Sequence, residues 1–176
     1  MSGEREILEI LDARVRQPRA AAFLDSLAGE VTAMLRRDPA ARLAWKTVPL
    51  DIYENLPGGI ASSWIFVLRA GCSSGAERHP NSIQRVMSLG GSADMRTWNG
   101  ERWVSNMLRS DAPFEERWLS IPVNAWHRPV MGDGDWTVVS FHTASDDALI
   151  EELALDDEHP DRGSRSAEAY AGRIAR

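Results

Sequence analysis

Between residues 42 and 143 the chain repeats one texture, and that texture restricts the fold more than any other feature. Short runs rich in β-branched and aromatic residues alternate with turn residues. The runs are Leu43–Tyr53, Ser62–Arg69, Gln84–Leu89, Ala93–Trp98, Trp103–Leu108, Trp118–Ile121 and Trp136–Thr143. Pro57-Gly58-Gly59, Gly90-Gly91, Asn99-Gly100 and Gly132-Asp133-Gly134 punctuate them. Asn99-Gly100 between two apolar runs predicts a two-residue hairpin, whose turn needs positive φ at both residues. Short strands at this spacing indicate an all-β protein, an antiparallel sandwich or barrel.

The flanks read differently. Ile7, Leu8, Leu11 and Val15 recur at helical spacing until Pro18 breaks the run. Leu24, Leu27, Ala28, Val31, Met34 and Leu35 then mark a second helix, which Asp38-Pro39 ends, because the residue before proline is pushed out of the helical region. Its apolar stripe is one-sided, so it packs against the strands or against a second copy of the chain. After Thr143, Leu149, Ile150 and Leu153 follow Asp146 and Asp147, a pattern that predicts a short closing helix. The chain divides into a helical extension (1–41), a barrel with its closing helix (42–155) and a polar tail (156–176) expected to be poorly ordered or weakly helical.

Composition narrows the partners. At 176 residues the chain suits one domain that needs no disulfide or structural metal to fold. A net charge of −6 argues against nucleic acid, whose phosphates demand a basic face. The single cysteine, Cys72, excludes an internal disulfide and fits a reducing compartment. No apolar stretch approaches the roughly 20 residues of a membrane span, and MSGEREILEI is too acidic for a signal peptide. The expectation is a cytoplasmic protein with neither nucleic-acid nor membrane partners.

One segment concentrates metal-ligating chemistry. Glu77 and His79 are two apart, so on a strand both side chains face one way. Pro80-Asn81 then turns the chain, and Gln84 opens the next strand beside the pair. Pro122-Val-Asn124-Ala-Trp-His127 supplies a second histidine from another strand. Two imidazoles, one carboxylate and one amide oxygen make a donor set for one divalent ion of the iron, manganese, nickel or zinc kind.

The spacings resemble those of the cupins. The first motif of that family is a glycine, five residues, His-x-His, three or four residues, a glutamate, six residues and a glycine. Here Gly71, Glu77-x-His79, Gln84 and Gly91 fall at those intervals, with Glu77 for the first histidine and Gln84 for the glutamate. The second motif, Pro-x-Gly-x-x-His, is matched by Pro122-x-Asn124-x-x-His127; its leading glycine is Glu116 and its trailing asparagine Met131. The resemblance covers residues 42–143. It implies a double-stranded β-helix, or jelly roll, with ligand positions Glu77, His79, Gln84 and His127 inside the barrel. The exchanges move the carboxylate but keep one negative charge. With Gln84 standing back, Glu77, His79 and His127 form the two-histidine, one-carboxylate set that non-haem iron favours.

The resulting expectation is a metal-dependent enzyme, dioxygenase-like, acting on a small organic substrate, with iron as first choice of metal. Trp98, Trp103, Trp118 and Trp126 are candidates for the wall of its pocket. The two ligand exchanges support a second reading, a non-catalytic binding or sensing module. A third is a structural homodimer subunit, paired through edge strands or the stripe on helix 19–37. His142 lies in phase with Trp136, Val138 and Ser140, and Arg85 should face away from Gln84. No phosphate loop and no Ser-His-Asp arrangement is present, so no catalytic residue is assigned.

Overall fold

The computed structural model describes residues 3–167. Two helices, α1 (Glu4–Val15) and α2 (Pro18–Arg37), lead into the strands. These are β1 (Leu43–Thr47), β2 (Ser62–Leu68), β3 (Glu77–Arg78), β4 (Gln84–Gly90), β5 (Ser92–Trp98) and β6 (Trp103–Val104), then β7 (Met107–Arg109), β8 (Trp118–Ile121), β9 (His127–Met131), β10 (Trp136–His142), β11 (Glu152–Ala154) and β12 (Ser164–Ser166). They form two antiparallel sheets. One runs β1-β2-β10-β4-β8; the other runs β12-β11-β3-β9-β5-β6, with β7 also on β5. This is the jelly-roll barrel expected of residues 42–143.

Side-chain alternation builds two cores from one sheet. On β2, Trp64, Phe66 and Leu68 face the opposite sheet, packing with Met95 from it and with Val86 and Trp136 of their own sheet. Ile65 and Val67 face outward and meet Val139 and Phe141, and there α2 lays Leu24, Leu27, Val31 and Leu35 over them. Every residue of β2 is therefore buried, although its sheet has only one face inside the barrel. Full burial of each such helix side chain contributes roughly 1.5–3 kcal/mol, which fixes the extension to the barrel. Two polar anchors set its register. Glu4 takes Arg85 Nε and Nη2 at 2.6 and 2.9 Å, and Asp12 Oδ1 accepts from Arg117 and Trp118 at 2.9 and 2.8 Å. Arg85 thus points away from the barrel interior, as strand alternation requires. Met34 falls off the buried stripe and is exposed.

Gly91 closes the β4–β5 turn with φ +76°, and a Cβ there would lie 2.6 Å from the Asp135 carbonyl oxygen. Gly100 also has positive φ but faces open space. Gly91→Ala is expected to cost about 2–4 kcal/mol, strain and clash together, and Gly100→Ala only the smaller conformational part. Equal Tm losses in the two variants would contradict this.

Four local expectations are corrected. The segment after Thr143 is not a helix: Asp146–Ala148 make one turn, and residues 152–154 become β11, pairing Glu152 with Arg78 and Leu153 with Glu77. The open edge of β3 outweighs a weak helical spacing. Residues 156–167 of the polar tail are held on the barrel. Asp157 Oδ1 accepts from Ala76 N, Asp161 from Trp98 Nε1, and β12 pairs with β11. The rest of the tail, 168–176, lies outside the described residues. The first run stops as a strand at Thr47 and continues as a 3-10 turn over Leu50–Ile52, where Pro49 removes a ladder donor. The Asn99-Gly100 hairpin has a four-residue loop: Trp98 pairs with Trp103, and Asn99 Oδ1 accepts from the backbone of Glu101 and Arg102. Asn99 uses its side chain as an Asx cap, so it needs no positive φ.

Candidate metal centre

The centre is assembled where the two sheets face each other. β3 and β9 pair with Glu77 opposite His127, which sets those side chains side by side. His79 follows at the mouth of the Pro80-Asn81 turn. The second motif closes onto the first through its backbone. Asn124 N–H donates to the His79 carbonyl at 2.9 Å, and Asn124 does so with φ +65°. Asparagine is one of the few residues that accepts this conformation, which explains how it stands in a glycine position.

Glu77, His79 and His127 each place one ligand atom within 4.8 Å of the others. His127 Nε2 is already 3.4 Å from Glu77 Oε1. The imidazoles are 2% and 0% exposed, and both are oriented by carbonyl oxygens. His79 Nδ1–H donates to Ile150 O at 3.3 Å, and His127 Nδ1–H to Ala125 O at 3.1 Å. A carbonyl only accepts, so the proton sits on Nδ1 and the lone pair on Nε2. Those two Nε2 atoms are buried without a hydrogen-bond partner, and so is Gln84 Oε1. Each orphaned acceptor costs about 1–3 kcal/mol.

Electrostatics favour the same protonation state. Burial, followed by the neighbouring His127, pushes His79 down to about 4, with Glu77 opposing. His142 is held well below its ordinary value by burial first, then by His79 and His127. Both are neutral at pH 7. His142 pairs across strands with Gln84, its ring stands edge-on to His79 at 5.1 Å, and its nitrogens meet the Ser82 and Ser140 hydroxyls at 3.5 and 3.4 Å. Trp64 backs it at 5.7 Å and is stacked in turn on Trp45 at 5.2 Å.

All four sequence candidates therefore reach this region: Glu77, His79 and His127 as one cluster, and Gln84 in the lining of the pocket that Glu77 also lines. The tryptophans expected to wall that pocket do not. Trp118 packs under the helices, Trp98 and Trp103 hold the tail segment, and Trp126 lies under Arg78. Trp136 lines the cavity instead. The strand phase that put His142 inside applies equally to Trp136.

Asn81 is a residue that spacing did not reveal. Its Nδ2 donates to Ala148 O at 2.7 Å, and its Oδ1 accepts from Ile150 N at 3.0 Å. That clasp fixes the Ile150 carbonyl, which in turn fixes His79. Asn81→Ala is expected to weaken metal binding by about 10–100-fold, the usual effect of losing an outer-shell partner. Chelator competition measures it, and an unchanged affinity would show that the clasp does not orient His79.

Solved structures share this architecture. Coconut allergen cocosin superposes with a TM-score of 0.51 at 17% identity, covering 65% of this chain and 29% of that one. Pumpkin seed globulin gives 0.50 at 19%, covering 65% and 28%. The chain has the cupin fold. Oxalate oxidase in complex with the substrate analogue glycolate gives 0.48 at 13%, covering 61% of this chain and 54% of the oxidase. This chain spans less than two thirds of each of those proteins, and identities this low bear on fold alone. No family model and no curated protein matches its sequence. Among the described residues no helix is long and apolar enough to cross a membrane.

Proposed function

We propose that this cupin holds one divalent metal ion through His79 Nε2, His127 Nε2 and a Glu77 carboxylate oxygen, and presents it to a very small ligand. The observation that carries the reading is the pair of buried, partnerless Nε2 atoms, each aimed by a carbonyl on its Nδ1, beside a carboxylate. The donor set suits iron(II) first, and also manganese, nickel or zinc. Bonds of about 2.0–2.2 Å require the three groups to draw in by roughly an ångström. A metal there supplies Lewis acidity and, if it is iron, redox chemistry. Glu77 leaves a net positive charge on the bound ion, and Gln84 Oε1 offers an acceptor to whatever protic group lies beside it.

Dioxygenation of an organic substrate is the second reading. It draws on the donor set but not on the space. The cavity beside Glu77 and Gln84 has a volume of about 30 Å³, whereas organic ligands occupy roughly 300–1,000 Å³. The interior therefore favours small-ligand binding or sensing. Elemental analysis of untagged protein, followed by chelation and reloading with cobalt(II), tests the metal. Near-stoichiometric metal and a cobalt spectrum with nitrogen donors support it; a folded protein that never takes metal refutes it.

A further inference from the structure

One residue on the outside of the barrel touches both strands that carry the paired ligands. Asp157 Oδ1 accepts from Ala76 N at 2.9 Å, and the Asp157 carbonyl accepts from Arg128 Nη1 at 2.9 Å. Ala76 directly precedes Glu77, and Arg128 directly follows His127. Strand alternation turns this into a link between the two faces of one sheet. Glu77 and His127 stand opposite each other and point inward. Their neighbours Arg78 and Arg128 point outward, where each guanidinium lies over an indole, Arg78 on Trp126 at 4.5 Å and Arg128 on Trp103 at 4.4 Å.

Asp157 belongs to a strap, residues 156–162, between β11 and β12. Leu155 N donates to Gly163 O at 3.0 Å and closes its neck. The strap then crosses the outer face of β9, β5 and β6. Glu158 accepts from Arg128 Nη1 at 2.8 Å, Asp161 accepts from Trp98 Nε1, and the Asp157 carbonyl accepts from Trp103 Nε1 at 3.0 Å. Ordering seven residues costs backbone entropy, and these contacts offset it. β3 needs the support. It is two residues long, and among the described residues its ladder to β9 is the single pair Glu77–His127. A ladder this short holds little by itself. The Asn81 clasp fixes the chain after His79, and the strap fixes it before Glu77. Resting on the metal reading above, we propose that Asp157 is a positioning residue for Glu77 and His127, and that the strap is a latch whose seating outside the sheet sets the spacing of the donors inside. Without Asp157 Oδ1, Ala76 N loses its acceptor and β3 draws back from β9. The Glu77 carboxylate, 3.4 Å from His127 Nε2 when the strap is seated, then leaves the donor set. A change at the surface thereby reaches the centre without entering the barrel.

Three variants separate positioning from stability. Asp157→Ala removes the acceptor for Ala76 N, Asp157→Asn keeps an acceptor oxygen, and Trp103→Phe removes one donor to the carbonyl of residue 157 while keeping a ring. The first measurement needs no metal. In metal-free Asp157→Ala, hydrogen exchange at Ala76 N is expected to quicken about tenfold, the worth of a hydrogen bond to a charged group, beyond any change at Val139 N in the other sheet. Equal changes at both amides mean lost global stability alone and overturn the proposal. The second measurement is cobalt(II) affinity by chelator competition. It should fall about 10–100-fold in Asp157→Ala, with an altered cobalt spectrum, fall about threefold or more in Trp103→Phe, and return close to wild type in Asp157→Asn. If Asp157→Ala does not fold, Trp103→Phe decides alone. Wild-type affinity in both Asp157→Ala and Trp103→Phe overturns the latch and leaves the metal reading standing. An Asp157→Asn variant as weak as Asp157→Ala overturns the role of the Ala76 hydrogen bond. Faster Ala76 exchange in a protein that never takes up cobalt would instead sink the metal reading and keep the strap as a clamp on β3.

Discussion

His127→Ala is expected to give a folded protein that no longer holds metal. The substitution removes one of only two nitrogen donors in the cluster, and the loss should exceed the 10–100-fold that an outer-shell partner is worth. It also removes the partnerless buried Nε2, which recovers part of the cavity cost, so the metal-free Tm should move little. The clear readout is thermal. A metal at about a thousand times its Kd stabilises by about 4 kcal/mol, which for a chain of this size raises Tm by roughly 8–16 °C. That rise should be present in wild type and absent in His127→Ala. Gln84→Ala should lower affinity less, because a neutral amide contributes little to such a metal. Gln84→Glu adds a second negative charge and should raise affinity. A His127→Ala variant that keeps full metal occupancy, or the same metal-induced rise, removes the basis of the proposed function.

Much of this centre was legible because spacing encodes geometry. The interval of two between Glu77 and His79 put both in one cluster although β3 ends at Arg78, and the positive φ at Gly71, Gly91 and Asn124 explains why those positions take glycine or asparagine. The phase of Trp136, Val138, Ser140 and His142 placed the inner face of β10 correctly. What spacing could not show were contacts made by segments distant in sequence. The Ile150 carbonyl that orients His79 belongs to a stretch whose apolar residues read as helix. Its conformation is decided by the Asn81 clasp and by the free edge of β3, neither of which is local. The tryptophans failed for a related reason. Composition says that an aromatic is buried against something, but not on which side of a sheet. Trp98 and Trp103 found the tail, Trp118 the helices, and of the tryptophans from Trp64 to Trp136 only Trp136 lines the cavity.

Acid should weaken the metal-free protein well before its carboxylates titrate. His79 is pushed down to about 4, by burial first and then by His127, from an ordinary value of 6.5. Between those two values the unfolded chain binds a proton that the folded chain refuses, so stability rises with pH there and is lost as pH falls. The slope is about 1.4 kcal/mol per pH unit for each such group, which for His79 alone amounts to roughly 3 kcal/mol across the window. His142, lowered by burial and then by His79 and His127, adds a loss of the same sign. Against a typical total of about 5–15 kcal/mol, the His79 contribution alone is a large share. Glu4, lowered chiefly by its hydrogen bond from Arg85, acts in a separate window, because its stabilisation is lost only as pH falls below the usual carboxylate value. Melting curves from pH 7.5 to 4.5 on metal-free protein should therefore slope steeply above pH 5, and His142→Asn should flatten them. A bound metal occupies Nε2 of His79 and competes with its proton, so loaded protein should hold its Tm to lower pH and then release metal as it takes up protons. A metal-free Tm that stays level from pH 7 to 5 would mean that the imidazoles are not buried neutral, and the geometry assigned to the donor set would fall with it.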